Sequence, residues 1–220
     1  MIQVRVWDLP TRFFHWALAL LCVALVVTGE MGGNAMIWHF RAGYAVGTLL
    51  IFRILWGFMG GYWSRWQQLS VSLQAVQNYL RKGPAHYWGH NPIGSLSVLA
   101  MLSLLIVQVG TGLFSDDDIA NAGPLTRLVS ERVVSLATQW HSHFGKVLII
   151  ILVLTHVLAI AWYFFKHKEN LVKPMLTGDK FSSTHEDIPS SHDRPLDWLR
   201  AILFILVSAA LVYALISFGE

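Results

Sequence analysis

Five stretches of this chain, roughly 13–29, 36–59, 92–114, 136–165 and 199–218, are apolar over the length of a bilayer crossing. About 20 consecutive apolar residues span the hydrocarbon core as a helix. Inside lipid every backbone N–H and C=O has to be satisfied within the protein, and a helix does this one segment at a time. The pattern therefore predicts an all-α transmembrane fold with five spans. Composition agrees, with 55% hydrophobic and 13% charged residues, where soluble domains carry about 25% charge.

Lysine and arginine set the expected orientation. Eleven fall in the N-terminal segment, the 61–90 loop and the 166–200 segment, against two, Arg127 and Arg132, in the opposite loops. By the positive-inside rule the N-terminus is cytoplasmic and the C-terminus lies outside. A pI near 9.1 does not point to nucleic acid, because the basic residues sit between spans. Membrane lipid is the expected surroundings. The first span follows Arg5 and Arg12 but has no A-x-A-like cleavage site, so it reads as retained. Asp8 and Pro10 are helix-start residues for it. The 70–81 stretch reads as a short surface helix on the inner side, and 178–197 as a polar, mobile inner loop. Trp7, Trp16, Trp38, Trp56, Trp63, Trp66, Trp140 and Trp162 read as an interfacial belt.

Histidines inside such spans are costly and rarely kept without something to bind. His15 stands at the cytoplasmic start of the first span, and His39 at the outer start of the second. The fourth span carries His141 and His156, 15 residues apart, or about 22 Å along an α-helix. Depth pairs His15 with His156 and His39 with His141, as two haem irons near opposite membrane faces would require. At about 100° per residue, His141 lies about 60° past four turns from His156, and His143 about 140° short. His141 is thus the favoured outer ligand and His143 its alternative. Two imidazoles per iron suit electron transfer rather than oxygen binding. The single cysteine, Cys22, excludes an internal disulfide, a C-x-x-C-H attachment site and a four-cysteine cluster. Any haem is therefore held non-covalently, by histidine or methionine. A zinc site at 141–143 has no carboxylate or cysteine near it in sequence.

Other candidate cofactor-binding residues follow from position. Gly43 and Gly47 lie one and two turns beyond His39 and leave a groove for a flat macrocycle, although the same pattern serves close helix packing. Arg41, Arg53 and Lys146 are cations within or at the ends of spans, placed to meet haem propionates or to snorkel to headgroups. Arg12 joins them at the start of the first span. His90, in the "HNPIG" that opens the third span, is a titratable donor at its cytoplasmic mouth, placed to deliver protons or to meet a propionate or headgroup.

The segments "VWDLPTRFFHW", "HFRAGYAVGTLLIFRILWGF", "GHNPIGSLSVLAML" and "NLVKPMLTGDK" together resemble the prokaryotic cytochrome b561 family, which includes the b-type subunits of nickel–iron hydrogenases. The likeness covers about residues 4–180. It implies a four-helix bundle holding two b haems over 1–180, followed by a polar cytoplasmic loop at 181–198 and an additional C-terminal span in 199–220. Its ligands fall on His15, His39, His156 and a histidine near 141–143. The 14-residue spacing it implies within the fourth span lands on Ser142, which leaves the outer ligand open between His141 and His143.

The resemblance implies electron transfer across the inner membrane between the quinone pool and a periplasmic partner, a c-type cytochrome or a hydrogenase-like protein. A homodimer is a further assembly to test. A superoxide oxidase with quinone as acceptor is the second reading. It calls for a basic outer surface, whereas the outer loop carries Asp116, Asp117 and Asp118. A haem-free metal or solute transporter is the alternative from another class.

Overall fold

The computed structural model describes residues 2–83, 87–117, 121–182 and 188–219. Five helices are long and apolar enough to cross a membrane: Leu9–Met31, Gly33–Met59, Pro92–Leu113, Glu131–Lys166 and Pro195–Gly219. In chain order the elements are β1 (Ile2–Arg5), α1 (Leu9–Met31), α2 (Met36–Met59), α3 (Leu73–Lys82), α4 (Pro92–Leu113), α5 (Glu131–Gln139), α6 (Lys146–Lys166), α7 (Val172–Thr177), β2 (Asp179–Ser182) and α8 (Pro195–Gly219). Between α5 and α6 the helix opens into a π turn at Trp140–Gly145. Large apolar side chains such as Leu20, Phe58, Leu158 and Phe165 stay exposed on the long helices, as lipid-facing positions must.

The chain divides into two compact units. The first comprises Met1–Phe14, Arg53–Ala100 and Val153–Ile202, and the second His15–Phe52, Met101–Leu152 and Leu203–Glu220.

In the first unit β1 and β2 pair antiparallel, with Gln3 opposite Phe181 and Arg5 opposite Asp179. The 178–197 stretch expected to be a mobile loop is therefore partly ordered. Arg5 binds Asp179 and Asp193, and Ser191 Oγ donates to the Val6 carbonyl at 3.0 Å. Residues 183–187 lie outside the described residues. Gly178 makes the turn into β2 with φ +92°, and its carbonyl accepts from the N–H groups of Val6 and Trp7. A Cβ there would be strained and would stand 2.7 Å from the Trp7 carbonyl oxygen.

Asp8 is fully buried and caps α1, accepting from Thr11 N–H at 2.8 Å. The same carboxylate accepts from Trp56 Nε1, Gly61 N and Ser64 Oγ. Trp56 is only 1% exposed and Trp7 only 7%. Neither belongs to an interfacial belt: Trp56 serves Asp8, and Trp7 packs with Val4 and Val6 in a small core. The surface helix expected at 70–81 forms at 73–82, where Ser72 Oγ caps it by accepting from Ala75 N–H.

In the second unit α2 supplies the buried residues Val46, Leu49, Leu50 and Phe52. Gly47 meets Val109 of α4 and Val212 of α8, so that position serves helix packing. The loop after α4 folds back through Gly123 N–H to the Ser115 carbonyl and Leu125 N–H to the Leu113 carbonyl.

Candidate functional site

Two of the histidines expected as ligands meet in the second unit. The rings of His39 and His141 have centroids 6.0 Å apart and planes at 87°. His39 sits in the first turn of α2, and its Nδ1 is 3.0 Å from the Leu25 carbonyl of α1 and 3.3 Å from Thr28 Oγ1. His141 sits in the π turn, with Nδ1 2.8 Å from the Gln108 carbonyl of α4. A carbonyl accepts only, so each Nδ1 carries the proton and donates. That leaves Nε2 as the nitrogen able to bind a metal.

Both rings line a cavity of about 520 Å³, together with Cys22, Gly43, Gln108 and Gly112. Its size is that of a small-molecule or cofactor pocket, roughly 300–1,000 Å³. Two imidazoles on opposite sides of one metal, at about 2 Å each, put their ring centres about 6 Å apart. The observed separation fits that arrangement. Among the described residues, no group of three or more His, Cys, Asp or Glu is placed to hold a metal ion. The donor set is thus two imidazoles over an apolar cavity, which suits a haem iron and not a structural zinc.

Two glycines that sequence patterning did not single out make room for these rings. A Cβ on Gly29 would stand 3.2 Å from His39 Cε1, and one on Gly112 would stand 2.7 Å from His141 Cε1. Gly43 lines the cavity, with open space where its Cβ would be.

His143 is exposed, and its Nδ1 pairs with Ser142 Oγ at 2.7 Å. It does not line the cavity with His141. His15, half-buried, stands edge-on to Trp16 in the second unit, while half-buried His156 belongs to the first.

The candidate cations are variously engaged. Lys146 lines the cavity and pairs with Glu30 at 2.7 Å. Arg41 is exposed and stacks on Trp38. Arg53 is 5% exposed, stacks on Trp66 at 4.2 Å and donates to the Ser64 carbonyl; its Nη1 is buried with no hydrogen-bond partner. Arg12 donates to the Leu176 carbonyl and lies 3.8 Å from Asp193. His90 packs on Trp7 with centroids 4.8 Å apart. Asp116 and Asp117 line the cavity, and the Asp117 carboxylate accepts from both the N–H and the amide of Asn121. Asp118 lies outside the described residues.

The family model of prokaryotic cytochrome b561 matches residues 6–178. A probable Ni/Fe-hydrogenase B-type cytochrome subunit of Azotobacter chroococcum mcd 1 is 26% identical over 213 residues, covering 80% of this chain and 87% of that protein. Its counterpart in Cupriavidus necator is 25% identical, covering 79% and 85%. The probable Ni/Fe-hydrogenase 1 B-type cytochrome subunit of Escherichia coli K12 is 26% identical over 147 residues, covering 53% and 62%. No solved structure matches the chain.

Proposed function

The chain belongs to the prokaryotic cytochrome b561 family of membrane b-type cytochromes, and from that premise we propose that it holds two non-covalent b haems and carries electrons between the quinone pool and a redox partner outside the inner membrane. The observation that carries the reading is the His39–His141 pair: two imidazoles 6.0 Å apart, each with Nδ1 committed to a carbonyl, over one cavity. Haem bound there supplies a one-electron iron couple. The chain's own part would be to offer the two imidazoles as iron ligands, which would disfavour oxygen binding, and to keep the site within apolar walls.

The second pair, His15 and His156, rests on sequence depth. Arg53 and Lys146 are the residues best suited to hold propionate carboxylates, Arg53 because it is buried with a donor to spare. Arg41 and Arg12 are further candidates. His90 is assigned to proton delivery at a quinone on the cytoplasmic side. Charge asymmetry of the loops supports a cytoplasmic N-terminus and a periplasmic C-terminus. The names of the relatives support a hydrogenase as one class of partner, and a c-type cytochrome is the other.

Pyridine haemochrome assay of fully loaded protein tests the proposal. Two haems per chain are expected. A ratio of one or zero would overturn it.

A further inference from the structure

The fourth span is interrupted where its first histidine sits. The helix widens into a π turn at Trp140–Gly145, and the Lys146 N–H that closes it bonds the His143 carbonyl three residues back. Such a turn inserts one residue into the helical count and breaks the regular hydrogen-bond ladder. It needs a partner outside the helix to satisfy what the ladder leaves open.

Gln108 of α4 is that partner. Its Nε2 donates to the main-chain carbonyl of His141 at 2.7 Å, and its own main-chain carbonyl accepts from His141 Nδ1 at 2.8 Å. One residue thus holds both the backbone and the ring of His141. The fit depends on glycine, since a Cβ on Gly145 would fall on Gln108 Oε1 and 2.8 Å from Trp140 Nε1. Gln108 Oε1 and Trp140 Nε1 are both buried without hydrogen bonds. Burying half an amide unsatisfied costs free energy. A space-filling leucine would avoid that cost, so volume alone does not account for glutamine here.

We propose that Gln108 is a positioning residue that holds the π turn open and thereby presents His141, and not Ser142, beside His39. If the turn relaxed to α, its one-residue surplus would be lost and the preceding chain would rotate by about 100°. Ser142 would then take the place of His141, and a serine hydroxyl is a far weaker iron ligand than imidazole. The carbonyl on Nδ1 also makes His141 a more basic ligand, so slackening that bond favours the reduced iron and raises the potential. This inference rests on reading His39 and His141 as haem ligands and adds what sets the second one in place.

The test compares haem-loaded, full-length wild type, His141→Ala, Gln108→Met and Gly145→Ala. Methionine nearly matches glutamine in volume, which guards against misfolding, and alanine at Gly145 would press on the Gln108 amide and on Trp140 Nε1. His141→Ala identifies the haem component that depends on this ligand. In Gln108→Met and Gly145→Ala that component alone should shift its midpoint potential upward or lose its low-spin signal. Amide hydrogen exchange across 140–146 should quicken about tenfold, as loss of one buried hydrogen bond implies. If Gln108→Met matches wild type in potential, spectrum and exchange while His141→Ala loses a component, the positioning role is wrong and the ligand reading stands. If His141→Ala retains both components, the ligand reading falls and this inference with it.

Discussion

His39 and His141 face one another at 6.0 Å with ring planes at 87°, and each is anchored by Nδ1 to a main-chain carbonyl of a helix other than its own. Leu25 of α1 holds the first and Gln108 of α4 the second. The candidate site is therefore built by four chain segments of one unit, with backbone atoms as the anchors. A carbonyl anchor cannot be lost by side-chain substitution. It shifts only if its helix moves or if the backbone that carries the ring moves, so substitutions reach these rings through helix packing or through the π turn that carries His141.

Imidazole planes this close to perpendicular would, on a ferric haem iron, leave its two π-type d orbitals almost equal in energy. A haem held by His39 and His141, as proposed, would give a highly anisotropic low-spin electron paramagnetic resonance signal. His39→Ala and His141→Ala should each abolish that same signal, whereas His143→Ala, at an exposed ring bound to Ser142, should leave it intact. Loss of the signal in His143→Ala but not in His141→Ala would reverse the ligand assignment.

Glycine substitutions separate ring clearance from helix packing. Alanine at Gly112 would press on His141 at 2.7 Å, and alanine at Gly29 on His39 at 3.2 Å. Both are expected to lower haem content, Gly112→Ala more than Gly29→Ala. Gly47→Ala would meet Val109 and Val212 at 3.5 and 3.7 Å, ordinary contact distances, and should retain wild-type haem content. The haem-to-protein absorbance ratio of the three purified variants is the measurement.

The spans and the His39–His141 pair were legible in the sequence because each rests on local periodicity or on depth along a helix. What stayed hidden depends on contacts between distant segments. Gln3 and Asp179 are 176 residues apart in sequence, and nothing in "IQVR" or "DKFS" marks them as partners, so the sequence shows only a polar stretch where β2 forms. Gly29 and Gly112 look no different from Gly43 and Gly47 until the rings packed against them are known. The phase estimate that favoured His141 assumed an unbroken α-helix. The π turn holds one residue more than an α turn, and such a surplus would account for the difference between the 14-residue spacing implied by the family resemblance and the 15 residues between His141 and His156.

The tether between the N-terminus and β2 should be sensitive to acid. Burial pushes the Asp179 carboxyl up, but hydrogen bonds from Arg5 and Gln3 outweigh this and hold it below the ordinary carboxylate value. A carboxylate with a depressed folded-state value adds stability above its unfolded value of about 3.9, and that stability is lost as pH falls through the folded value. Asp179→Asn should cost about 1–3 kcal/mol at pH 7. The gap in thermal midpoint between variant and wild type should narrow as pH is lowered below about 4. A gap that is constant with pH would assign the loss to packing.

Asp8 is the deepest polar anchor of the first unit. Its carboxylate is fully buried and serves Thr11, Trp56, Gly61 and Ser64 together. Asp8→Ala strands those donors and removes an electrostatic partner of the buried Arg53. A loss of about 3–5 kcal/mol is expected, the usual cost of breaking a buried charged network by deleting one member. Thermal unfolding in detergent measures it, and a loss below that of an exposed helix cap, about 1 kcal/mol, would show that the network carries little stability.

The acidic loop after α4 offers a test of partner docking, with Asp116, Asp117 and Asp118 as the charges proposed to meet a basic partner. Asp117 also has a local task, because its carboxylate accepts both hydrogen bonds from Asn121. Replacing all three aspartates would therefore confound lost charge with a loosened loop. Asp116→Asn with Asp118→Asn removes two charges and leaves the Asp117–Asn121 contact in place. Electrostatic steering acts on association rate and is screened by salt. Electron exchange with a basic c-type cytochrome should therefore slow in the double variant at low ionic strength, with the two rates converging at high salt. Asp117→Asn alone should instead show a deficit that persists at high salt, as a distorted loop would. A double variant that exchanges at the wild-type rate at every ionic strength would move docking to another surface.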